Sequence, residues 1–292
     1  MANDRQHYLP AALLGGFGEP NRRRKGGRYA TIAVRDLATG CVRLSNADSE
    51  AHRRALYRLE APPPGVDRDV VDKLWDEIEP GLPDLVRRVE SRALLDGDEQ
   101  RLINYAASIW VRHPRFSKVA EQHQEKRGSP LPTADGVQAM RVEGFMNQRP
   151  TIATWRWRIL HGCPDAARFV ISDMAFIAIA DHPGGDESAN LHHAVFVPLS
   201  PKVGLLGYLD HPCLPARRPP FSEHRDVVPS LVDWLNACAT SRGRGTPMEP
   251  SAVFGHPDDA DALAAIPDAN AVRPNARGPF RGVGMSAVTL LE

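Results

Sequence analysis

The chain has 292 residues, 42% of them hydrophobic and 25% charged, with no net formal charge. A chain of that length buries roughly three-quarters of the surface its unfolded form exposes, so its core needs neither disulfides nor a structural metal. The zero balance excludes a globally basic nucleic-acid binder and leaves only local patches open.

The chain opens on His7-Tyr8-Leu9-Pro10 and an apolar run to Phe17. Gly15 and Gly16 interrupt that run, which is too short for a signal peptide or a membrane span. Asn21, Arg22, Arg23, Arg24, Lys25, Gly26, Gly27 and Arg28 follow. Glycine with dense positive charge reads as a solvated loop, the functional alternative being a loop that contacts phosphate. Residues 29–34 alternate, with Ile32 and Val34 on one side. Val42 and Leu44 resume the alternation beyond Thr39-Gly40, so a β-hairpin is expected.

From Asp67 the period lengthens. Val70, Val71, Leu74, Trp75 and Ile78 recur at helical spacing, and Pro80 and Pro83 break or restart the helix before Leu85, Val86 and Val89. Asp96 with Glu99 three residues on forms a variant of the capping box. The helix carrying Leu102, Ile103, Ala106, Ile109 and Trp110 should stop near Arg112, because Pro114 pushes His113 out of helical geometry. Gly128, Pro130 and Pro132 mark a surface loop. Thr133 can cap one helix, with Val137, Met140 and Phe145, and Thr151 another, with Trp155 and Leu160 on one face.

Beyond Pro164 the apolar runs shorten. Residues 169–171, 176–179, 194–199 and 203–208 read as four strands, and the brief turns between them favour antiparallel pairing. A last helix is expected over 226–239, with Val228, Leu231, Leu235 and Cys238 inward. From about Gly255 the composition turns to Asp, Ala, Pro and Gly, as in a loosely ordered tail. The expectation is an α+β fold in one domain over residues 6–255: an N-terminal β-hairpin, a central helical region, antiparallel strands and a C-terminal helix, with a tail at 256–292.

Cys41, Cys163, Cys213 and Cys238 form no CxxC pair and no disulfide framework, so a reducing cytoplasm is the expected compartment, with no membrane partner. Only five of the 36 basic residues are Lys. That usage fits a GC-rich genome as well as it fits bidentate recognition of anions by Arg.

Taken in order, several landmarks resemble the family catalogued as domain of unknown function 4238. That family opens with His-Tyr-Val-Pro before an apolar stretch ending in Phe, similar to His7-Tyr8-Leu9-Pro10 and Phe17 with Leu for Val. Its hairpin Asp and Thr-Gly turn resemble Asp36 and Thr39-Gly40, and its Tyr followed by an acidic helix resembles Tyr57 and Glu79. Its Arg-x-Pro at a helix end is similar to Arg112-His113-Pro114, and its Phe-x-x-Ser-Asp-Asn-Pro strand motif to residues 169–173. Its Pro-Leu-Ser-Pro step and helix Asn resemble residues 198–201 and Asn236. The resemblance covers about residues 6–255 and implies a shared fold and site. Where the family has Asn-Pro after the Asp, this chain has Met174-Ala175, so any role of that Asn is lost or replaced.

His7, Glu79, Arg112 and Asp173 each fall at a motif or an element end, where side chains converge on clefts. His can shuttle protons near neutral pH. Asp at a strand end can act as a base, and Arg can hold an anionic group. Together they would form an acid–base site for a hydrolase acting on a phosphate-bearing or nucleic-acid substrate, or on a glycosidic bond. In the structural alternative Arg112 pairs with Glu79 or Asp173 in a half-buried network and His7 fixes the N-terminal strand. The competing function is a non-catalytic module that binds a small molecule, nucleic acid or protein in a regulatory or defence system.

His161-x-Cys163 with His211-x-Cys213 presents four ligands of the type zinc takes, but a one-residue gap is not a usual ligand spacing. The cysteines read more simply as small buried hydrophobes. His192-His193 and the acidic loop 181–187 read as solvated, with metal binding as the alternative. The sequence holds no P-loop, G-x-G-x-x-G turn, G-x-S-x-G elbow or H-E-x-x-H helix, and no cofactor is implied. Trp75, Trp110, Trp155 and Trp157 are expected in the core or lining a groove.

Overall fold

A computed structural model describes residues 5–24, 26–163, 167–179, 194–208, 221, 223–240 and 250–267. In chain order the elements are β1 (Arg5–His7), α1 (Ala11–Leu14), β2 (Thr31–Asp36), β3 (Val42–Asn46), β4 (His52–Arg54), α2 (Val70–Trp75), α3 (Leu82–Glu90), α4 (Asp98–Arg112), α5 (Phe116–Lys126) and α6 (Ala134–Ala153). Then come β5 (Arg156–Gly162), β6 (Ile171–Ser172), β7 (Ile177–Ile179), β8 (Ala194–Pro198), β9 (Val203–Tyr208), β10 (Glu223–Val227), α7 (Pro229–Ala239), β11 (Ala252–Gly255) and α8 (Ala260–Ala265). The fold is α+β.

The N-terminal hairpin forms as its residues dictate. The Asp36 carboxylate accepts bonds from the backbone N–H of Ala38 and Thr39, both 2.8 Å, and Gly40 takes φ 73°, where a side chain would be strained. β2 and β3 leave this turn antiparallel, Arg35 opposite Val42. On its other edge β2 pairs with β11, and β11 with β6, which completes a four-stranded antiparallel sheet. Ile171 therefore reaches the N-terminal hairpin through a strand from the far end of the chain, instead of pairing with 176–179.

The larger sheet has the order β10-β5-β9-β8-β7. Its pairs are antiparallel except β10 with β5, which run parallel across the long connection between them. Two of its strands correct the sequence reading. Residues 156–162, assigned above to a helix capped by Thr151, are β5, and the start of the expected 226–239 helix belongs to β10. Pro229 opens α7 at its first turn, where a missing N–H costs nothing. The helices expected from Thr133 and Thr151 are one: Thr133 caps α6 by accepting from Gly136 N at 3.1 Å, and Pro150 near its end gives up one bond without stopping it. The cap of α4 is Gly97 at φ 86°, with no side-chain bond; Asp98 instead takes both arms of Arg88 at 2.7 Å and ties α3 to α4.

Both faces of the larger sheet are covered. Ile159, Val195, Val197 and Leu205 join a core with Trp75, Leu85 and Leu102 of the helical layer. Their neighbours Leu160, Phe196 and Leu206 join a second core with Leu231 and Leu235 of α7 and Leu263 of α8. Burial on both faces is why β8 and β9 read as unbroken apolar runs and not as alternations. Gly207 makes room for a ring, since a Cβ there would lie 2.6 Å from Trp157. Residues 257–265 form a short 3-10 turn and α8, with Leu263 buried. The remainder of the expected tail, 268–292, lies outside the described residues. Among the described residues no helix is long and apolar enough to cross a membrane.

Candidate functional site

α4 ends at Arg112 because His113, held before Pro114, is extended at φ −61° and ψ 142°. The terminal carbonyls of a helix need outside donors. Tyr57 supplies one, its hydroxyl donating to the Arg112 carbonyl at 2.8 Å. The Arg112 side chain, 2% exposed, donates from Nη2 to the His7 carbonyl at 2.7 Å and to the Glu79 carboxylate. Its guanidinium lies 5.3 Å from the Trp75 ring centroid. Burial works against its charge, but Glu79 and Tyr57 outweigh burial and hold its pKa above the ordinary value.

A second buried arginine flanks the first. Arg141 of α6 donates from Nη1 to the carbonyls of Val111 and His113, the latter at 3.1 Å. Its guanidinium sits between the rings of Tyr57, 5.5 Å away, and Phe116, 4.9 Å away. Among the described residues no carboxylate pairs with it, and burial lowers its pKa to about 10.

Asp173 lies just after β6 and is 3% exposed. Its Oδ1 accepts from Ser251 N at 3.0 Å and its Oδ2 from the Ser251 hydroxyl, while its own N–H donates to the Ala252 carbonyl at 2.9 Å. His113 Nε2 stands 3.8 Å from Oδ2. Arg115 N donates to His113 Nδ1 at 3.2 Å, which leaves the imidazole proton on Nε2, facing the carboxylate. The Tyr8 ring packs edge-on against His113, 5.1 Å between centroids. Burial, and then Asp173, raises the Tyr8 pKa.

His7 is half-buried, with Nε2 3.3 Å from the Asp48 carbonyl. A carbonyl only accepts, so Nε2 carries the proton and Nδ1 keeps its lone pair. The ring meets His52 edge-on at 5.4 Å. Burial lowers the His7 pKa; the Asp48 bond opposes this and His52 adds to it.

His7, Glu79 and Arg112 therefore meet through one guanidinium. Asp173 belongs to a neighbouring group that reaches them through His113, next to Arg112, and Tyr8, next to His7. Sequence reasoning missed five participants. Tyr8 and His113 stand inside the motifs already singled out. Arg141 falls between Val137 and Phe145 on the buried stripe of α6, a spacing that marks it as buried. His52 and Ser251 carry no local signal, since only strand pairing and a 78-residue contact place them.

The other motifs are also points of attachment. Asn236 of α7 accepts from Val170 N at 3.0 Å and donates to the Arg168 carbonyl at 2.8 Å, clasping the segment before β6. The Ser200 hydroxyl donates to Glu90 at 2.5 Å and accepts from Lys202 N at 3.1 Å. His161 bonds His224, Nε2 to Nδ1 at 2.9 Å, and Cys163 is partly exposed. His211, Cys213, the 181–187 loop, His192 and His193 lie outside the described residues. Among the described residues no group of three His, Cys, Asp or Glu is placed to hold a metal ion.

These contacts define an α+β protein whose helical layer and N-terminal ribbon are joined by a buried Arg112 and whose small sheet is tied by a buried Asp173. The chain belongs to the family described as a protein of unknown function (DUF4238), which it matches over residues 5–239. No curated protein and no solved structure matches it.

Proposed function

We propose that this chain is a hydrolase acting on a phosphate-bearing substrate, with His7 as the proton-transfer group and Arg112, Glu79 and Asp173 as positioning residues. The observation that supports it is the setting of His7. Its imidazole is half-buried with a lowered pKa, so it is neutral near pH 7, and its Nδ1 lone pair is left to act as a base. Its backbone is held by Arg112, which Glu79 keeps charged and in place. In this reading Nδ1 takes a proton from water as the water oxygen bonds to phosphorus. The ester oxygen leaves and gains a proton from solvent. Asp173 acts at one remove, by orienting His113 against Tyr8.

A non-catalytic binding module is the second reading. It is favoured by the near-complete burial of Arg112 and Asp173: Arg112 Nη2 and both Asp173 carboxylate oxygens bond to other residues of the scaffold. The test is turnover of bis(p-nitrophenyl) phosphate and of p-nitrophenyl phosphate by the full chain and by His7→Gln. The hydrolase reading expects a loss of about 100-fold or more in the variant at an unchanged melting temperature. Turnover that survives the substitution, or none in the parent, leaves the binding module.

A further inference from the structure

β1 and β4 pair in a register that sets Arg5 opposite Arg54 and His7 opposite His52. Strand alternation puts these four side chains on one face of the ribbon, and Arg53 opposite Gln6 on the other. Like charges directly opposite each other destabilise a strand pair. Arg5, Arg53 and Arg54 are exposed, and among the described residues no ion pair or side-chain hydrogen bond engages any of them.

The basic surface continues past His7. The Asp48 carbonyl that His7 meets belongs to the residue whose carboxylate takes Arg28 Nε at 2.8 Å. Arg28 and Arg24 lie 5.8 and 5.2 Å from the Tyr29 ring centroid. Asn21 Oδ1 accepts from the backbone of Arg23 and Arg24, at 2.9 and 3.1 Å, and so shapes a loop that holds Arg22, Arg23 and Arg24 exposed. Two carboxylates near this surface each have an arginine of their own, Asp48 with Arg28 and Glu50 with Arg43 at 2.7 and 3.0 Å, and Glu19 stands exposed two residues before Asn21. The uncompensated charge on this surface is that of Arg5 and Arg54 together with Arg22, Arg23 and Arg24.

We propose that this surface binds the phosphate backbone of nucleic acid. A guanidinium fork matches a phosphate in two bonds, and a polyanion laid across the ribbon turns the Arg5–Arg54 repulsion into attraction. A membrane partner would want apolar side chains beside the charges. The exposed large hydrophobics among the described residues lie elsewhere, with none on β1, on β4 or in residues 21–28. The inference concerns binding alone and stands whether or not His7 transfers a proton.

The test is the fluorescence anisotropy of a labelled oligothymidylate titrated with the full chain over a series of salt concentrations. Each phosphate contact on a single strand contributes about 0.7 to the slope of log affinity against log salt. Arg5→Gln/Arg54→Gln should weaken binding and flatten the slope by about 1.4. Arg22→Gln/Arg23→Gln/Arg24→Gln should flatten it independently, and neither variant should melt below the parent. No binding by the parent, an unchanged slope in both variants, or tighter binding to phosphatidylserine vesicles than to the oligonucleotide overturns the proposal.

Discussion

Arg112 donates a 2.7 Å hydrogen bond to the backbone carbonyl of His7, a residue 105 positions earlier in the chain. The helix end that presents the arginine and the strand that presents the carbonyl thus hold each other in place. With Glu79 on the same nitrogen, the cation is both neutralised and oriented.

Arg112→Met should therefore destabilise the fold by about 1–3 kcal/mol, the cost of leaving the partly exposed Glu79 carboxylate and the His7 carbonyl without their donor. Urea unfolding measures it. A loss below about 1 kcal/mol would mean that the contact is incidental, since exposed pairs contribute that little.

Asp173→Ala should cost about 2–3 kcal/mol, because it strips acceptors from the Ser251 N–H and hydroxyl inside the protein. Ser251→Ala removes one neutral partner and should cost about 1 kcal/mol. Equal losses in the two variants would show that the carboxylate does nothing beyond receiving that hydroxyl.

Ala175 has φ 62°, and its N–H donates to the Ser172 carbonyl at 2.9 Å. Proline, the residue the family motif carries at this place, is locked near φ −65° and has no N–H. Ala175→Pro should thus destabilise this chain by about 3 kcal/mol or more. A neutral or stabilised variant, read by melting temperature, would show that the turn after Asp173 re-forms with the opposite sign of φ.

The His161–His224 pair makes stability depend on pH. The rings lie 5.2 Å apart at 29°, flanked by Arg92 and Asp226, which pair with each other. Burial, with Arg92 and His224 adding to it, lowers the His161 pKa from 6.5 to about 4. Above pH 6.5 the group is neutral both folded and unfolded and contributes nothing. As pH falls below that value the unfolded chain takes up a proton that the folded one refuses. Stability should then fall, by up to about 1.4 kcal/mol per pH unit, and level off near pH 4. His161→Phe should flatten the profile in that window, and urea midpoints across pH 4–7 would reveal a slope that persists without it.

What the sequence determined by itself was local. Asp36 with Thr39-Gly40 defines a turn that needs nothing from elsewhere, and Pro114 stops α4 at Arg112 whatever surrounds it. The apolar runs at β8 and β9 mark strands buried on two faces. Tertiary structure decided the rest, because those outcomes depend on partners far along the chain. Residues 156–162 became β5 where the apolar count suited helix as well, since β9 and β10 offered hydrogen bonds on both edges. Ile171 joined β11, and His52 came to face His7, through pairings no local period encodes. Arg112 and Asp173 were legible as candidates from their motifs. Which atoms neutralise them was not, because the cost of burying a charge is settled only by what surrounds it in space.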